Sequence, residues 1–444
     1  MIRSKLPLLL LALPACQSFS QAPPPAWGGA QRPPEPAPGF VAPAPLPGPA
    51  AADAPAASFG LLKLEEALRL AGQHAPELGA GADELHAAEA RLEAAGRLPD
   101  PELSVGVEAV PFRTPRGGDE LLVGASQEIP LSGTGAAARG AAEATRELSR
   151  LRLEALRIRL ETRVRAAFGQ ALAAQQADEQ LQRRQEISAE LLALAAARVD
   201  HGDLLPSALR ALQAEAAVQA REQRGAGLVL ESSKRTLEAL IGAADGAIGR
   251  LEGELAATLG LPQLEALLSD PAALPAAAGA RAEAELARWR AQLAEARTVP
   301  SIELGLAYRR RGDGRDSFDA GLVLGLPITG GRAAEARATR FEESAARQRA
   351  AAVERDSAAA FRQALAAAQN ALAWLELYQD ELLPSAAAQG AVAGARFEAG
   401  DLSRAELLAV QAELARLRLD RLDAFEDLLV AWGELRASLT AVAD

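Results

Sequence analysis

Residues able to do chemistry are few in this chain, and their spacing argues against catalysis. His74, His86 and His201 are scattered, without the paired spacing that metal sites need. Sulfur comes only from Met1 and Cys16, so neither a disulfide nor a soft-metal thioether site is expected. There is no nucleophile elbow, phosphate loop or Cys/His set, and three histidines leave little for general-base work. No catalytic residue, metal site or cofactor is assigned. What does recur is a charged turn. Arg198 to Leu204 reads Arg-Val-Asp-His-Gly-Asp-Leu, and Arg396 to Leu402 reads Arg-Phe-Glu-Ala-Gly-Asp-Leu. Register holds beyond each turn, with Leu209, Gln213 and Glu215 matching Leu407, Gln411 and Glu413. Gly suits a reversal that needs positive φ, and Asp caps the helix that follows. A duplicated helical hairpin is therefore expected.

The composition fits long packed helices. Aromatic residues are only 4% of the 444, so Ala and Leu must supply most contacts. A net charge of −12 disfavours a nucleic-acid partner. Arg3 and Lys5 followed by the apolar run Leu6 to Ala15 read as an export signal over residues 1–15, too short to span a bilayer. Leu13-Pro14-Ala15-Cys16 resembles the bacterial lipoprotein signal, which implies a lipid on Cys16; Gln17 after it implies the outer membrane. The Pro/Ala-rich stretch up to Ser58 cannot bury a core and reads as a tether, 16–58.

Helical periodicity starts near Leu64, breaks at Pro76 and stops at Pro99-Asp100-Pro101. The period then changes to two. Leu103, Val105 and Val107 alternate with Ser104, Gly106 and Glu108, and Leu121, Val123 and Ala125 follow with their own polar partners. After Pro130-Leu131-Ser132-Gly133 a helical pattern runs unbroken from about Ala136 to Val199. Its two apolar stripes, Leu148, Leu151, Ala155, Ile158 and Leu153, Leu156, Leu160, Ala167, call for neighbours on both flanks. The second half repeats the order. A helix from about Arg281 leads to a strand pair within 301–326, where Ile302, Leu304, Leu306 and Tyr308 share one face and Glu303 and Arg309 the other. Pro327-Ile328-Thr329-Gly330 opens a second rod, with Pro384 expected to kink it before Glu398. The repeats are read as 59–245, with strand pair 102–128 and tip 202–204, and 246–444, with strand pair 301–326 and tip 400–402.

Four strands of membrane-spanning length cannot close, and open sheet edges are not tolerated in lipid, so the barrel must be shared among chains. Three chains give twelve strands. The alternative is a soluble coiled-coil scaffold without a pore, which leaves Leu304, Leu306, Leu322 and Leu324 without a partner layer.

From Leu61 to the C-terminus the chain resembles the TolC family of outer-membrane efflux proteins. The duplicated Pro130 and Pro327 junctions and the duplicated Arg-x-x-x-Gly-Asp-Leu turns carry the likeness. The resemblance implies a mainly α, α+β fold: a homotrimer with a 12-stranded outer-membrane β-barrel, continued by a long α-helical barrel in the periplasm. It also implies an exit duct for an RND-type inner-membrane pump, reached through a periplasmic adaptor. The heavy-metal-cation branch looks nearest, from the loop lengths and the Leu383-Pro384 step; drug-efflux and type I secretion branches share the frame.

The resemblance assigns Gly202, Asp203, Leu204, Gly400, Asp401 and Leu402 as adaptor-docking tips. Glu406 matches a lumen-facing acid at the periplasmic gate, where three copies would form a carboxylate ring. Arg198 and Arg396 could tie the closed tip through an acid, or be ordinary surface arginines. Glu108, Glu303, Arg309 and Asp319 are expected in the barrel lumen, and Tyr308 and Phe318 at the membrane–water boundary.

Overall fold

The computed structural model describes residues 59–108, 120–255, 259, 274–311 and 316–440. The signal peptide, the tether and Cys16 lie outside the described residues. The chain runs β1 (Phe59–Lys63), α1 (Leu64–His74), α2 (Pro76–Ala94), β2 (Glu102–Glu108), β3 (Glu120–Pro130), α3 (Thr134–Asp200) and α4 (Pro206–Ile241). It repeats with β4 (Ile248–Glu252), α5 (Pro275–Ala296), β5 (Ser301–Arg310), β6 (Asp316–Gly325), α6 (Gly331–Glu376), α7 (Leu383–Glu398) and α8 (Arg404–Thr440).

The first rod is 67 residues of uninterrupted α-helix, about 100 Å at ~1.5 Å per residue. No proline falls inside it, and Gly202 at φ 79° ends the turn beyond it. Its two stripes have separate partners. Leu148 packs with Leu286 of α5, while Leu153 and Leu156 approach Gly81 of α2. Lower down, α4 and α8 take the two flanks. Gly140 marks the tightest approach: a Cβ there would meet the Trp289 ring at 2.5 Å.

The second rod is not continuous. Between α6 and α7 the backbone widens into a π-helical turn, Leu377–Leu382, and the Leu383 N–H reaches back to the Tyr378 carbonyl. Pro384 explains it. Its ring cannot sit over the carbonyl four residues back and it offers no N–H, so a π turn absorbs the misfit. The expected kink is thus a register insertion.

β2, β3, β5 and β6 form one antiparallel sheet in that order. Val105 stands opposite Val123, Val123 opposite Tyr308, and Tyr308 opposite Phe318. Period-two alternation therefore puts Leu103, Val105, Leu306, Phe318 and Leu322 on one face.

A second, parallel pair joins β1 to β4, two strands the periodicity did not mark. Gln175 holds β4 by accepting the Leu251 N–H at 2.9 Å and donating to the Leu251 carbonyl at 3.1 Å. Glu238, 1% exposed, accepts the N–H groups of Gly246 and Ile248 at 3.0 and 2.9 Å. The buried Gln175 and Glu238 side chains are thereby both matched. The main apolar core gathers here, mid-length on the rods, with Phe168, Phe361, Phe425 and Trp432 fully buried beside Leu62, Leu237 and Leu251. Elsewhere the helices touch through alanine, so few bulky anchors are needed.

Candidate functional site: the channel wall and its tips

The elements form an open arc at every level. Next to the sheet, the helices follow the order α2, α3, α5, α6; further down it is α4, α3, α8 and α6–α7. Among the described residues the sheet ends in the unpaired edges of β2 and β6. Leu103, Val105, Val107, Leu306, Phe318 and Leu322 are each 63 to 86% exposed on one face of it. Leaving them in water costs on the order of 10 kcal/mol, comparable to the whole stability of a domain. That face is built for lipid.

The opposite face is polar and acidic. Among the described residues of its strands it carries Glu102, Glu120, Glu128, Glu303 and Asp319, with Arg309 as the base, by the alternation that the strand pairing fixes. Arg309 donates to Glu120 at 3.0 Å and to Asp319 at 3.1 Å, and Arg311 pairs with Glu120 at 3.4 Å. Glu128 stands directly opposite Glu303, a like-charge pair favoured only where water fills the space between. Glu108 pairs in register with Glu120. Tyr308 lies on the apolar face beside Phe318, ring centroids 5.3 Å apart, with its hydroxyl on Asp316 at 2.7 Å. An apolar body with a polar handle suits a membrane boundary.

At the far end the two turns have one geometry. The Asp203 N–H donates to the Arg198 carbonyl and the Asp401 N–H to the Arg396 carbonyl, both at 2.8 Å. Gly202 and Gly400 hold φ of 79° and 82° with open space where a Cβ would point. Gly202, Asp203, Gly400 and Asp401 are exposed, and Leu204 and Leu402 half-buried. Arg198 and Arg396 close the turns through their carbonyls; among the described residues neither guanidinium holds an ion pair within the protomer.

Glu406 has a local task the sequence reading did not assign. Its Oε2 accepts the Ser403 backbone N–H at 2.8 Å and the Ser403 hydroxyl at 2.6 Å, while the Glu406 N–H reaches the Ser403 Oγ at 3.3 Å. This is a capping box, visible in sequence as Ser-x-x-Glu; Ser403, not the expected Asp401, caps α8, and α4 has Leu205 at its N-terminus with no side-chain cap, so Asp203 does not cap it either. The Ser403 hydroxyl and backbone hold the Glu406 carboxyl below the usual carboxylate range. Beside it Arg404 makes a two-pronged bond to Glu190 at 2.5 and 2.8 Å and covers the Phe397 ring at 5.6 Å. It thus links α3, α7 and α8 near the tip. No motif announced that cross-rod pair.

A second missed feature runs up α8. Glu406, Glu413, Asp420, Asp427 and Glu434 recur every seventh residue, over about 42 Å at ~1.5 Å per residue. Asp423 and Glu426 join them. The opposite face of α8, with Leu422, Phe425, Leu428 and Trp432, is buried in the main core. Burial, then Asp420 and Asp427, push the Asp423 carboxyl up; burial, then Asp423 and Asp427, push Glu426 up.

An arc of strands with an apolar and a wet face, extended by staves that end in matched turns, is a segment of a channel wall. Residues 67–243 and 272–441 match the model of the outer membrane efflux protein family, and the chain belongs to that family. It is 29% identical over 275 residues to the cobalt-zinc-cadmium resistance protein CzcC of Cupriavidus metallidurans, a match covering 62% of this chain and 65% of that protein. Its fold is that of the outer membrane protein VceC of Vibrio cholerae, TM-score 0.64 at 16% identity over 86% of this chain and 97% of that one. CusC agrees to the same degree, TM-score 0.65 at 17% identity over 86% and 93%. The MtrE outer membrane channel of Neisseria gonorrhoeae gives 0.63 at 17%, over 85% and 89%. The chain is thus an outer membrane efflux protein by family, with the fold of the solved outer-membrane channels.

Proposed function

We propose that three copies close into a duct that carries divalent heavy-metal cations out of the periplasm, supplied by an RND-type inner-membrane pump through a periplasmic adaptor. The observation that carries this reading is the open arc: sheet and staves both end in unfilled flanks. Unpaired N–H and C=O groups along β2 and β6 would each cost several kcal/mol in lipid. An even strand count lets β6 of one copy pair antiparallel with β2 of the next. Two copies would give eight strands, a bore filled by side chains, whereas three give twelve and room for water. The internal repeats, 59–245 and 246–444, supply two strands and one hairpin each. Lipid on Cys16 would add an anchor beside the barrel.

Cation cargo is favoured by charge. The β1–β4 layer must lie outside the ring of staves, since inside it would block the bore. α8 buries its apolar face toward that layer, so its acidic column lines the bore. Rings of carboxylates attract cations and resist anions, and the polar barrel face continues them with Glu128 and Glu303 side by side. The likeness to a cobalt-zinc-cadmium resistance protein points the same way. Among the described residues no cluster could hold a metal ion.

The tips, Gly202 to Leu204 and Gly400 to Leu402, are the adaptor contacts, with Arg198, Arg396 and Glu406 at the gate. Valine at both Gly202 and Gly400 would strain each turn by about 1–2 kcal/mol without meeting a neighbour. The double variant should form detergent-stable trimers yet fail to restore zinc, cobalt and cadmium tolerance to a deletion strain that keeps its pump and adaptor. Tolerance equal to wild type would remove the tips from docking.

A further inference from the structure

On the tip side of the β1–β4 layer, which the proposed trimer places outside its bore, the structure holds a groove of about 810 Å³, and the inference drawn from it rests on that reading. Its floor is α8, its walls are α3 and the π-helical turn with Pro384, and its roof is β4. Two guanidiniums line it one helical turn apart. Arg421 donates to the Gln176 side-chain oxygen at 2.8 Å and Arg418 to that of Gln180 at 3.5 Å. Both partners are neutral. The other charges in the groove are already matched: Arg250 pairs with Glu179 at 3.0 Å, and Glu252 with Lys63 at 3.5 Å. The Arg421 Nε–H is buried and has no acceptor. Burial, then the nearby Arg418, work against its charge.

Two like charges in a half-dry cleft, one with an orphaned donor, are costly unless an anion joins them. We propose that this groove is a docking site for an acidic peptide segment of a periplasmic partner, with a carboxylate on the Arg418–Arg421 pair. Guanidinium forks match carboxylates in bidentate geometry. Leu172, Leu414 and Leu422 give the neighbouring peptide side chain an apolar seat, and the volume holds several residues. The bound segment would rest against Gln379 and Leu383, at the one interruption of the second rod. Occupancy is thereby felt where that rod departs from α geometry, far from the tips.

The test uses the full-length trimer in detergent and a fluorescein-labelled hexapeptide of alternating leucine and glutamate. Wild type should raise its anisotropy, and the glutamine version of the peptide should bind at least tenfold more weakly. R418Q/R421Q should also lose at least tenfold. Gln176→Glu, which keeps both arginines but supplies an internal acid, should lose a similar factor and serves if the double variant misfolds. Inorganic phosphate displacing the peptide at equal concentration would reassign the groove to small anions and overturn the peptide reading. Equal peptide binding by the variants would overturn it too. So would a wild-type trimer that ignores the peptide while R418Q/R421Q falls apart into monomers, which gives the groove to a second copy.

Discussion

The two return helices α4 and α8 start from turns of the same geometry and then diverge in what they expose. Where α4 shows water Val218, Leu228 and Val229, 53 to 74% exposed, α8 has Arg416, Glu426 and Asp427 in the duplicated register. Where α8 continues its acidic column through Asp427 and Glu434, α4 turns to Val229 and Thr236. Location accounts for the difference. α8 lies between α3 and the second rod, with both flanks taken; α4 packs on α3 and ends the arc. In the proposed trimer one copy of the hairpin becomes a seam and the other a lining. A duplicated element keeps its turn chemistry and diverges in what its free surface must meet.

The sharpest way to break this comparison is to give α4 the residues of α8. L228E/V229D places two carboxylates per copy on the free flank of the arc. If that flank meets a second copy, burying unpaired charge costs several kcal/mol per site and the trimer is lost, as read by light scattering in detergent. The expected outcome is monomer with unchanged helix content. Persistent trimers would mean that α4 is not at the seam.

The next effect should be electrical. Neutralising Asp420, Asp423 and Asp427 to asparagine should move the reversal potential of single channels in a salt gradient toward zero. Neutralising Glu215 and Glu222 of α4 should leave it nearly unchanged. Acidity sharpens the contrast. Asp423 and Glu426 have raised pKa values, so they take up protons first as pH falls toward the carboxylate range. Cation preference should begin to decline at a higher pH in wild type than in D423N/E426Q, which lacks the two raised carboxyls. Coincident titration curves would count against a lining role for these two residues.

Much of this was legible from residue order. Period two at Leu304, Leu306 and Tyr308 marked strands because one face meets lipid, and Gly202 and Gly400 marked turns because the backbone needs positive φ there. The two stripes of α3 named two flanks, and α2 and α5 fill them. Three things were not legible. β1 and β4 are too short to show a period, and what secures them is distant side chains, Gln175 and Glu238. The Glu190–Arg404 bridge joins residues far apart in sequence that only the packing of α3 on α8 brings together. The π turn before Pro384 follows from that proline, but a kink and an inserted residue leave the same trace in sequence.

The smallest predicted effect isolates one structural difference between the tips. In the duplicated register Ser403 and Glu406 stand where the first tip has Leu205 and Ala208, and α4 begins with no side-chain cap. Ser403→Ala should cost about 1 kcal/mol locally, seen as roughly fivefold faster hydrogen exchange in the first turn of α8. L205S/A208E should build the same box on α4 and slow exchange there. The pH dependence has a definite sign. Because Glu406 is held below the ordinary carboxylate value in the folded chain, its contribution is complete above the unfolded pKa and lost as pH falls through the folded one. Wild type and S403A should therefore converge in acid. An S403A effect that persists undiminished once Glu406 is protonated would mean the serine acts on the backbone alone, and that the second tip gains nothing from its acid.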